Sequence, residues 1–194
     1  LGREFQRTVI AEDGVHVTVG AATVLSRLVN EMMSRGLSGL EFTVGIPGTV
    51  GGAVSMNAGT RREWIGQLIE SLVTYVPGEG LRYYDHDDIY WGYRETGLPG
   101  SEIVLEATLV LKPGKKDDIR ERMERYLGRR RRSQPIGKAS CGSVFRNPSD
   151  KSVGAMIDDC GLKGFSVGGA EVSPVHANFI VNNGSATAKD VLSV

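Results

Sequence analysis

The sequence predicts an α+β fold, in which strands and helices alternate along a chain of 194 residues. Two segments, residues 68–76 and 103–111, alternate or run apolar in the manner of strands, and a Pro-Gly pair follows each of them. The segment that begins at Leu25 instead repeats its apolar residues at helical spacing. The chain is long enough to bury a sizeable core, so we expect one large or two small domains.

The first predicted elements are a hairpin and a helix. Residues 7–10 and 15–19 are strand-like and are joined through Glu12-Asp13-Gly14, a good turn former. Gly36 is a typical C-terminal stop for the helix that follows. That helix carries apolar residues at positions i, i+3, i+4, i+7 and i+8, namely Leu25, Leu28, Val29, Met32 and Met33, which we expect in the core.

A second helix is predicted after Pro113-Gly114, which we take as the boundary between domains at residues 1–113 and 114–194. Asp117 and Asp118 complement the positive end of a helix. Its apolar face consists of Ile119, Met123, Tyr126 and Leu127. Four arginines, 129 to 132, end the helix. A solvated helix end is the usual explanation of such a run, although guanidinium groups also bind phosphate in bidentate fashion.

The composition argues against several classes of function. Lys plus Arg and Asp plus Glu both number 23, so no net charge attracts the chain to nucleic acid or to an anionic membrane. No apolar run approaches membrane-spanning length and Leu1 begins no signal peptide, so we expect a cytoplasmic protein. Cys141 and Cys160 lack metal-ligand spacing and are expected to be reduced. We expect no metal site at Asp85-His86-Asp87-Asp88, because neighbours on one short segment point in different directions.

Residues 45–59 form a glycine-rich segment that begins Gly45-Ile46-Pro47-Gly48-Thr49-Val50-Gly51-Gly52. Its small side chains let a ligand or another backbone approach the main chain closely. A helix could begin near Thr49, and unpaired N–H groups at such a start attract phosphate or a polarised ring edge. Tight turns and close packing use the same residues, so this segment alone indicates either a binding loop or a packing element.

A second segment makes the interpretation specific. It runs Ser140-Cys141-Gly142-Ser143-Val144-Phe145-Arg146-Asn147-Pro148, and Gly154-Ala155-Met156-Ile157-Asp158 and Gly161-Leu162-Lys163-Gly164 follow it. Together with the glycine-rich segment, it closely resembles the UDP-N-acetylenolpyruvoylglucosamine reductase family, the flavoenzymes of bacterial peptidoglycan precursor synthesis. The resemblance covers about residues 15–192. It implies a role in cell wall biogenesis, and through it in cell shape and cell division.

The resemblance implies a specific version of the α+β fold. Residues 1–113 would form the second part of an FAD-binding domain of the vanillyl-alcohol-oxidase type, and residues 114–194 most of an α+β substrate-binding domain. The family's early FAD subdomain has no counterpart before Leu1, and its catalytic glutamate lies beyond Val194. We therefore expect a chain truncated at both ends and inactive alone. The spacing from Arg94 to Ser143 is too short for a tyrosine-bearing insertion found in one branch, which indicates the other branch.

The chemistry that the resemblance implies is reduction of an enol ether, with FAD and NADPH as cofactors and a UDP-sugar as substrate. A developing enolate needs a fixed cation, and the α-carbon of the substrate needs a proton donor. Arg94, in Gly92-Tyr93-Arg94, matches the family's cation, and Ser143 matches its proton donor. Without the surrounding motif, Ser143 would be interpreted as an ordinary serine in a Gly-Ser turn.

The resemblance also assigns binding residues. Those expected to contact FAD are Gly45, Ile46, Pro47, Gly48, Thr49, Gly51, Gly52, Asn57 and Ile103. Asn57 could equally cap a turn. Those expected to contact substrate are Asn147, His176 and Arg132. The family often has a lysine where this chain has Ser133, so that contact is either missing or made by a neighbour such as Arg132 or Lys138. A single histidine is more often a structural donor, and we expect this role for His16 and His86.

Two other functions fit the same sequence. An FAD-dependent oxidase of alcohols or sugars would have the same fold, although the motif from Gly142 to Pro148 and Arg94 argue against it. A non-catalytic fragment that binds a nucleotide sugar is what truncation could leave. A flavin-absorbing protein that oxidises NADPH only with an enolpyruvyl substrate would distinguish the reductase from both.

Overall fold

A computed structural model describes Leu1–Val194, and the chain divides into two compact units, Leu1–Leu127 and Gly128–Val194. The division falls inside a long helix and not after Pro113. The reason is that Ile119 and Met123, on the first half of this helix, are buried in the hydrophobic core of the first unit. The predicted boundary between a cofactor domain and a substrate domain at residue 113 stays a prediction.

The first unit contains nine strands and two complete helices. The strands are β1 (Thr8–Ile10), β2 (His16–Gly20), β3 (Leu37–Ser38), β4 (Ile69–Val76), β5 (Gly80–Asp85), β6 (Trp91–Gly92), β7 (Glu95–Thr96), β8 (Ile103–Val110) and β9 (Lys112–Pro113). The helices are α1 (Leu25–Arg35) and α2 (Val50–Ser55), and α3 (Lys116–Ser133) runs from this unit into the next. Strands and helices thus mix in the way that an α+β fold requires.

Five of these strands form one antiparallel sheet in the order β1-β2-β8-β4-β5. The predicted hairpin is confirmed as β1 and β2, with Ile10 opposite Val17. The predicted strands at residues 68–76 and 103–111 are confirmed as β4 and β8, which pair with each other inside the sheet. The sequence pattern therefore located four of the five strands of this sheet, and β5 was not predicted.

Helix α1 packs one apolar face into the same core as the sheet. Leu25, Leu28, Val29 and Met32 are buried, while Met33 is only partly buried. Burial of each such side chain contributes roughly 1.5–3 kcal/mol to folding. The helix ends at Gly36, whose φ of 71° lies in the left-handed region that favours glycine, which confirms the predicted stop.

The second unit is built on a four-stranded antiparallel sheet in the order β10-β13-β12-β11. Its strands are β10 (Ala139–Ser143), β11 (Ser166–Val167), β12 (Ala170–Val172) and β13 (Phe179–Asn182), and its short helices are α4 (Val153–Asp159) and α5 (Ala188–Ser193). Its buried apolar side chains are Ala170, Val172, Ala177, Phe179 and Val181. Across residues 1–194, no helix combines the length and apolar character that crossing a bilayer requires.

Candidate functional site

The glycine-rich segment forms an exposed loop that leads into α2. Gly45 and Gly48 have φ of 78° and 115°, which few other residues adopt, and the space where Gly48 would carry a Cβ is open. Thr49 caps α2 by accepting a hydrogen bond from the Gly52 N–H at 3.4 Å. The N–H groups of Gly45, Gly48 and Thr49 have no partner within the chain. The backbone before α2 is therefore accessible and has donors to offer a ligand.

The first turn of α2 itself is occupied. The Val50 N–H donates to the Thr23 carbonyl and the Gly51 N–H donates to the Ala21 carbonyl, both at 2.9 Å. A Cβ on Gly51 would lie 2.8 Å from that of Ala21, so this glycine is needed for close packing. The expectation of unpaired N–H groups at the helix start is therefore wrong for these residues. Any donors for an anion or a ring edge lie one to five residues earlier in the loop.

The other residues that were predicted to contact FAD differ in exposure. Ile46 is partly buried and packs against the core of the first unit, while Pro47 is exposed. Ile103 begins β8, lies opposite Tyr75 of β4, and is 44% exposed. Gly52 is exposed on α2, with no heavy atom closer than 3.8 Å to the position of a Cβ. A contact of these residues with FAD stays a prediction.

Asn57 has both ends of its side-chain amide engaged within the chain. The residue is buried, with a φ of 40°. Its Nδ2 donates to the Gly92 carbonyl at 2.8 Å, and its Oδ1 accepts the Gly66 N–H at 3.0 Å. Neither of these bonds is a simple turn cap. The amide joins two loops of the first unit, which favours a structural role over direct orientation of a flavin.

Arg94 lies in the tight turn between β6 and β7. Its φ of 56° is in the left-handed region, where a residue other than glycine or asparagine is strained by about 1–3 kcal/mol. The Nη2 donates to the Gly59 carbonyl at 3.0 Å, and the guanidinium carbon lies 5.2 Å from the centre of the Tyr93 ring. The charge is therefore held against the end of the glycine-rich segment. Strain of this kind is concentrated at functional sites.

Ser143 is the last residue of β10 and is exposed. The register changes just before it, because Ser140 lies opposite Val181 whereas Ser143 lies opposite Phe179. Three steps along β10 thus match two along β13, which is a β-bulge with one extra residue. Gly142, with φ of 86°, provides the bend. Bulges redirect side chains next to functional sites, and this one determines the face on which Ser143 lies.

A functional candidate that the sequence did not reveal is Asn178, which is 2% exposed. Its Oδ1 accepts the Phe145 N–H at 3.0 Å, and its Nδ2 donates to the Phe145 carbonyl at 2.8 Å. Its own carbonyl accepts the Val144 N–H at 2.9 Å. An asparagine between two apolar residues, Ala177 and Phe179, was the available signal, because a buried amide must find partners.

The side chain of His176 also contacts Asn178. Its Nδ1 accepts the Asn178 N–H at 3.2 Å, and its ring packs against Phe179 with 4.8 Å between ring centres. Burial lowers the pKa of His176 below its usual value, so the ring is neutral near pH 7. With Nδ1 as the acceptor, the proton must be on Nε2. His176 thus presents a neutral N–H donor, which suits the predicted substrate contact.

The other two predicted substrate contacts have different surroundings. The Oδ1 of Asn147 accepts the Val153 N–H at 2.9 Å and so holds the start of α4. Arg132 is exposed at the end of α3. The second unit has a cavity of about 390 Å³ near this helix end, and its basic lining residues are Arg131 and Lys138. Arg132 does not line this cavity, and its contact with substrate stays a prediction.

The remaining titratable residues form no metal centre. No group of three or more His, Cys, Asp or Glu side chains in residues 1–194 could hold a metal ion. The ring of His86 bonds to the Ile69 carbonyl at 2.9 Å and stacks on Trp91, as expected for a structural histidine. Cys141 and Cys160 are both free and exposed.

Comparison with known proteins gives two family matches. Residues 1–76 match the model of an FAD binding domain, and residues 134–194 match that of the UDP-N-acetylenolpyruvoylglucosamine reductase C-terminal domain. The same reductase from Halalkalibacterium halodurans is 42% identical over 183 residues, which cover 94% of this chain and 61% of that protein. The one from Geobacter metallireducens is 42% identical over 194 residues, which cover 100% of this chain and 64% of that protein.

A solved structure matches as well. The crystal structure of UDP-N-acetylenolpyruvylglucosamine reductase from Thermus caldophilus superimposes with a TM-score of 0.89 at 43% identity, covering 98% of this chain and 68% of that one. The chain spans about three fifths of the length of the curated relatives it matches. The sequence and the fold agree on the same relatives.

Proposed function

Because this chain belongs to the UDP-N-acetylenolpyruvoylglucosamine reductase family, we propose that its protein reduces UDP-N-acetylglucosamine enolpyruvate to UDP-N-acetylmuramate with NADPH and FAD. The observation that carries the proposal is the family match over both units, together with an Arg94 that is held in a strained turn. The substrates of such a reaction are nucleotide compounds of the cytoplasm, and we propose that location.

The residues of the first unit fit the cofactor that the family uses. The loop from Gly45 to Thr49 combines unpaired N–H groups with open space at Gly48, so a flavin ring edge or phosphate could approach its backbone. FAD, when bound, supplies the hydride that it takes from NADPH. The loop's contribution is to bind and orient the cofactor through main-chain donors, which need no particular side chain.

Arg94 is the cation of the proposed reaction. Negative charge develops next to the substrate carboxylate when hydride reaches the vinyl β-carbon, and a permanently charged guanidinium stabilises it. The strained turn and the bond to Gly59 fix the guanidinium before substrate arrives. Such preorganisation reduces the reorganisation needed during the reaction, which is why electrostatic stabilisation is effective.

Ser143 is the proton donor of the proposed reaction. Its hydroxyl transfers a proton to the α-carbon of the enolate, which forms the new C–H bond, and the serine oxygen regains a proton from water that its exposure admits. A hydroxyl is a weak acid, so this transfer requires a strongly basic enolate and a fixed hydroxyl position. His176 and Asn147 would orient the nucleotide sugar, with His176 donating from Nε2.

Flavin absorbance tests the proposal in the intact flavoprotein. NADPH should bleach the flavin, and the enolpyruvyl nucleotide should restore its colour without oxygen, giving UDP-N-acetylmuramate by mass spectrometry. An alcohol or sugar that bleaches the flavin, with oxygen restoring it, would instead indicate an oxidase. A protein that binds the nucleotide sugar but never bleaches with NADPH would indicate binding without catalysis.

A further inference from the structure

Asn178 makes three hydrogen bonds to the two residues that directly follow Ser143. Its side-chain amide brackets the backbone of Phe145 as both donor and acceptor, and its carbonyl accepts the Val144 N–H. The bonds measure 2.8–3.0 Å and the residue is 2% exposed. An amide side chain used in this way replaces a neighbouring strand, because it offers the same donor and acceptor pair as a peptide group.

The need for this replacement lies in the bulge. Ser143 is the last residue of β10 that pairs with β13. Gly142, just before it, has a φ of 86°, a backbone conformation that glycine adopts more easily than other residues. Ser143, Val144 and Phe145 are all exposed, so burial does not fix them. The segment is held on its N-terminal side by the strand ladder and on its C-terminal side by Asn178.

The same residue also determines the state of His176. Its backbone N–H donates to the His176 Nδ1, which directs the imidazole proton to Nε2. Asn178 therefore contacts both His176 and the segment that directly follows Ser143.

We propose that Asn178 is a positioning residue that holds the Ser143 hydroxyl in place for proton donation. This inference rests on the proposed function, because it assigns Asn178 a role in the same reaction. Small displacements of a reacting group slow chemistry steeply, by about 10²-fold for 1 Å. Loss of the amide should therefore slow the step that uses Ser143 and leave substrate binding and flavin reduction by NADPH nearly unchanged.

The test measures both half-reactions in the intact flavoprotein by stopped-flow absorbance. Asn178→Ala should slow recovery of the flavin colour by substrate roughly 10- to 100-fold, with bleaching by NADPH unchanged. Asn182→Ala is the matched control, because the Oδ1 of that asparagine, at the end of β13, accepts only the N–H groups of Gly184 and Ala186. The proposal is overturned if Asn178→Ala recovers colour at the wild-type rate, or if it slows both half-reactions equally.

A conservative variant gives a signature that a merely structural role would not produce. Asn178→Asp keeps the acceptor for the Phe145 N–H but loses the donor to the Phe145 carbonyl. Only the protonated carboxyl has both a donor and an acceptor. The rate at which substrate restores the flavin colour in this variant, relative to wild type, should therefore rise as pH falls through the pKa of the new carboxyl. His176 is the titratable group in contact with this position, and the wild-type profile controls for it. A pH-independent ratio contradicts the proposal.

Hydrogen exchange provides a readout that does not depend on activity. In Asn178→Ala, the Phe145 amide should exchange at least 10-fold faster than in wild type, while Asn182→Ala should leave it unchanged. Unchanged exchange in Asn178→Ala would overturn the proposed clamp. If wild-type protein failed to recover colour with the enolpyruvyl substrate, the proposed function would fall, and the exchange rates would still decide whether Asn178 holds the segment.

Discussion

Asn57 and Arg94 hold each other's loops. The Nδ2 of Asn57 donates to the carbonyl of Gly92, two residues before Arg94, and the Nη2 of Arg94 donates to the carbonyl of Gly59, two residues after Asn57. These two are also the only residues other than glycine with positive φ in residues 1–194. The reciprocal bonds therefore support two left-handed backbone conformations at once, and the first two predictions test each side.

Arg94→Ala should lower turnover by about 10²–10³-fold, since its charge is used mainly when the enolate develops. The apparent KM for the enolpyruvyl substrate should rise far less. Arg94→Lys should recover only part of the turnover, because an ammonium lacks the planar fork. Steady-state kinetics on the intact enzyme measure both values, with the exposed Arg120→Ala as the control. Near-normal turnover in Arg94→Ala would make Arg94 a structural residue.

Asn57→Ala should lower the free energy of unfolding by about 2–4 kcal/mol, because it leaves the buried Gly66 N–H and the Gly92 carbonyl without their partner. Alanine also tolerates the φ of 40° less well than asparagine does. Urea denaturation measures the change. Asn30→Ala, which removes an exposed helix-surface bond, should cost less than about 0.5 kcal/mol. Equal losses in both variants would remove the special role of Asn57.

Ser143→Ala should separate the two half-reactions. Flavin reduction by NADPH needs no proton on the enolpyruvyl carbon and should proceed at the wild-type rate. Recovery of the flavin colour by substrate should slow by about 10²–10⁴-fold, the usual contribution of general acid catalysis. Ser143→Cys should restore part of the rate, since a thiol is a stronger acid of similar reach. A defect confined to the NADPH step would be incompatible with proton donation by Ser143.

Two adjacent glycines of α2 should respond oppositely to alanine. Gly51→Ala should destabilise the protein by about 1–3 kcal/mol, because its Cβ would meet that of Ala21 at 2.8 Å. Gly52→Ala would make only an ordinary contact, 3.8 Å from its Cβ to the Thr49 Oγ1, and should stabilise the helix by up to about 1 kcal/mol. Thermal unfolding measures both. If Gly52 contacts FAD, its variant should also bind FAD more weakly, as a titration would show; tolerance of Gly51→Ala would contradict the packing role.

His16 should make stability depend on pH. Its ring contacts the carboxylates of Asp13 and of Glu70, the latter at 3.0 Å, and the hydrogen bond to Asp13 raises the pKa of His16. Because the folded state favours the protonated ring, the stabilisation by His16 is fully present below the unfolded pKa of about 6.5 and is lost as pH rises through the higher folded pKa. His16→Gln should therefore differ from wild type in denaturation midpoint at about pH 6 more than in alkaline buffer. A constant difference would contradict this charge effect.

The sequence allowed the local elements to be predicted because periodicity and turn residues are local signals. Leu25 to Gly36 and the β1–β2 hairpin follow from the spacing of a few neighbours. The bonds that build the candidate site are different in kind. Asn57 reaches a partner 35 residues away and Asn178 one 33 residues away, and such pairings leave no periodic trace in a single sequence. The resemblance identified Arg94 and Ser143, but their supports required the structure.

The bulge in β10 decides which residue of that strand lies opposite Phe179. Opposed side chains in an antiparallel pair share a face, and a regular ladder after Ser140 would place Gly142 there instead of Ser143. Deleting Cys141 would leave Ser143 two residues after Ser140, so a regular ladder would keep its side chain on the face of Phe179 while removing the bulge, as a crystal structure of the deletion variant would show. The bulge thus allows a strand with one extra residue to present Ser143 on the face of Phe179.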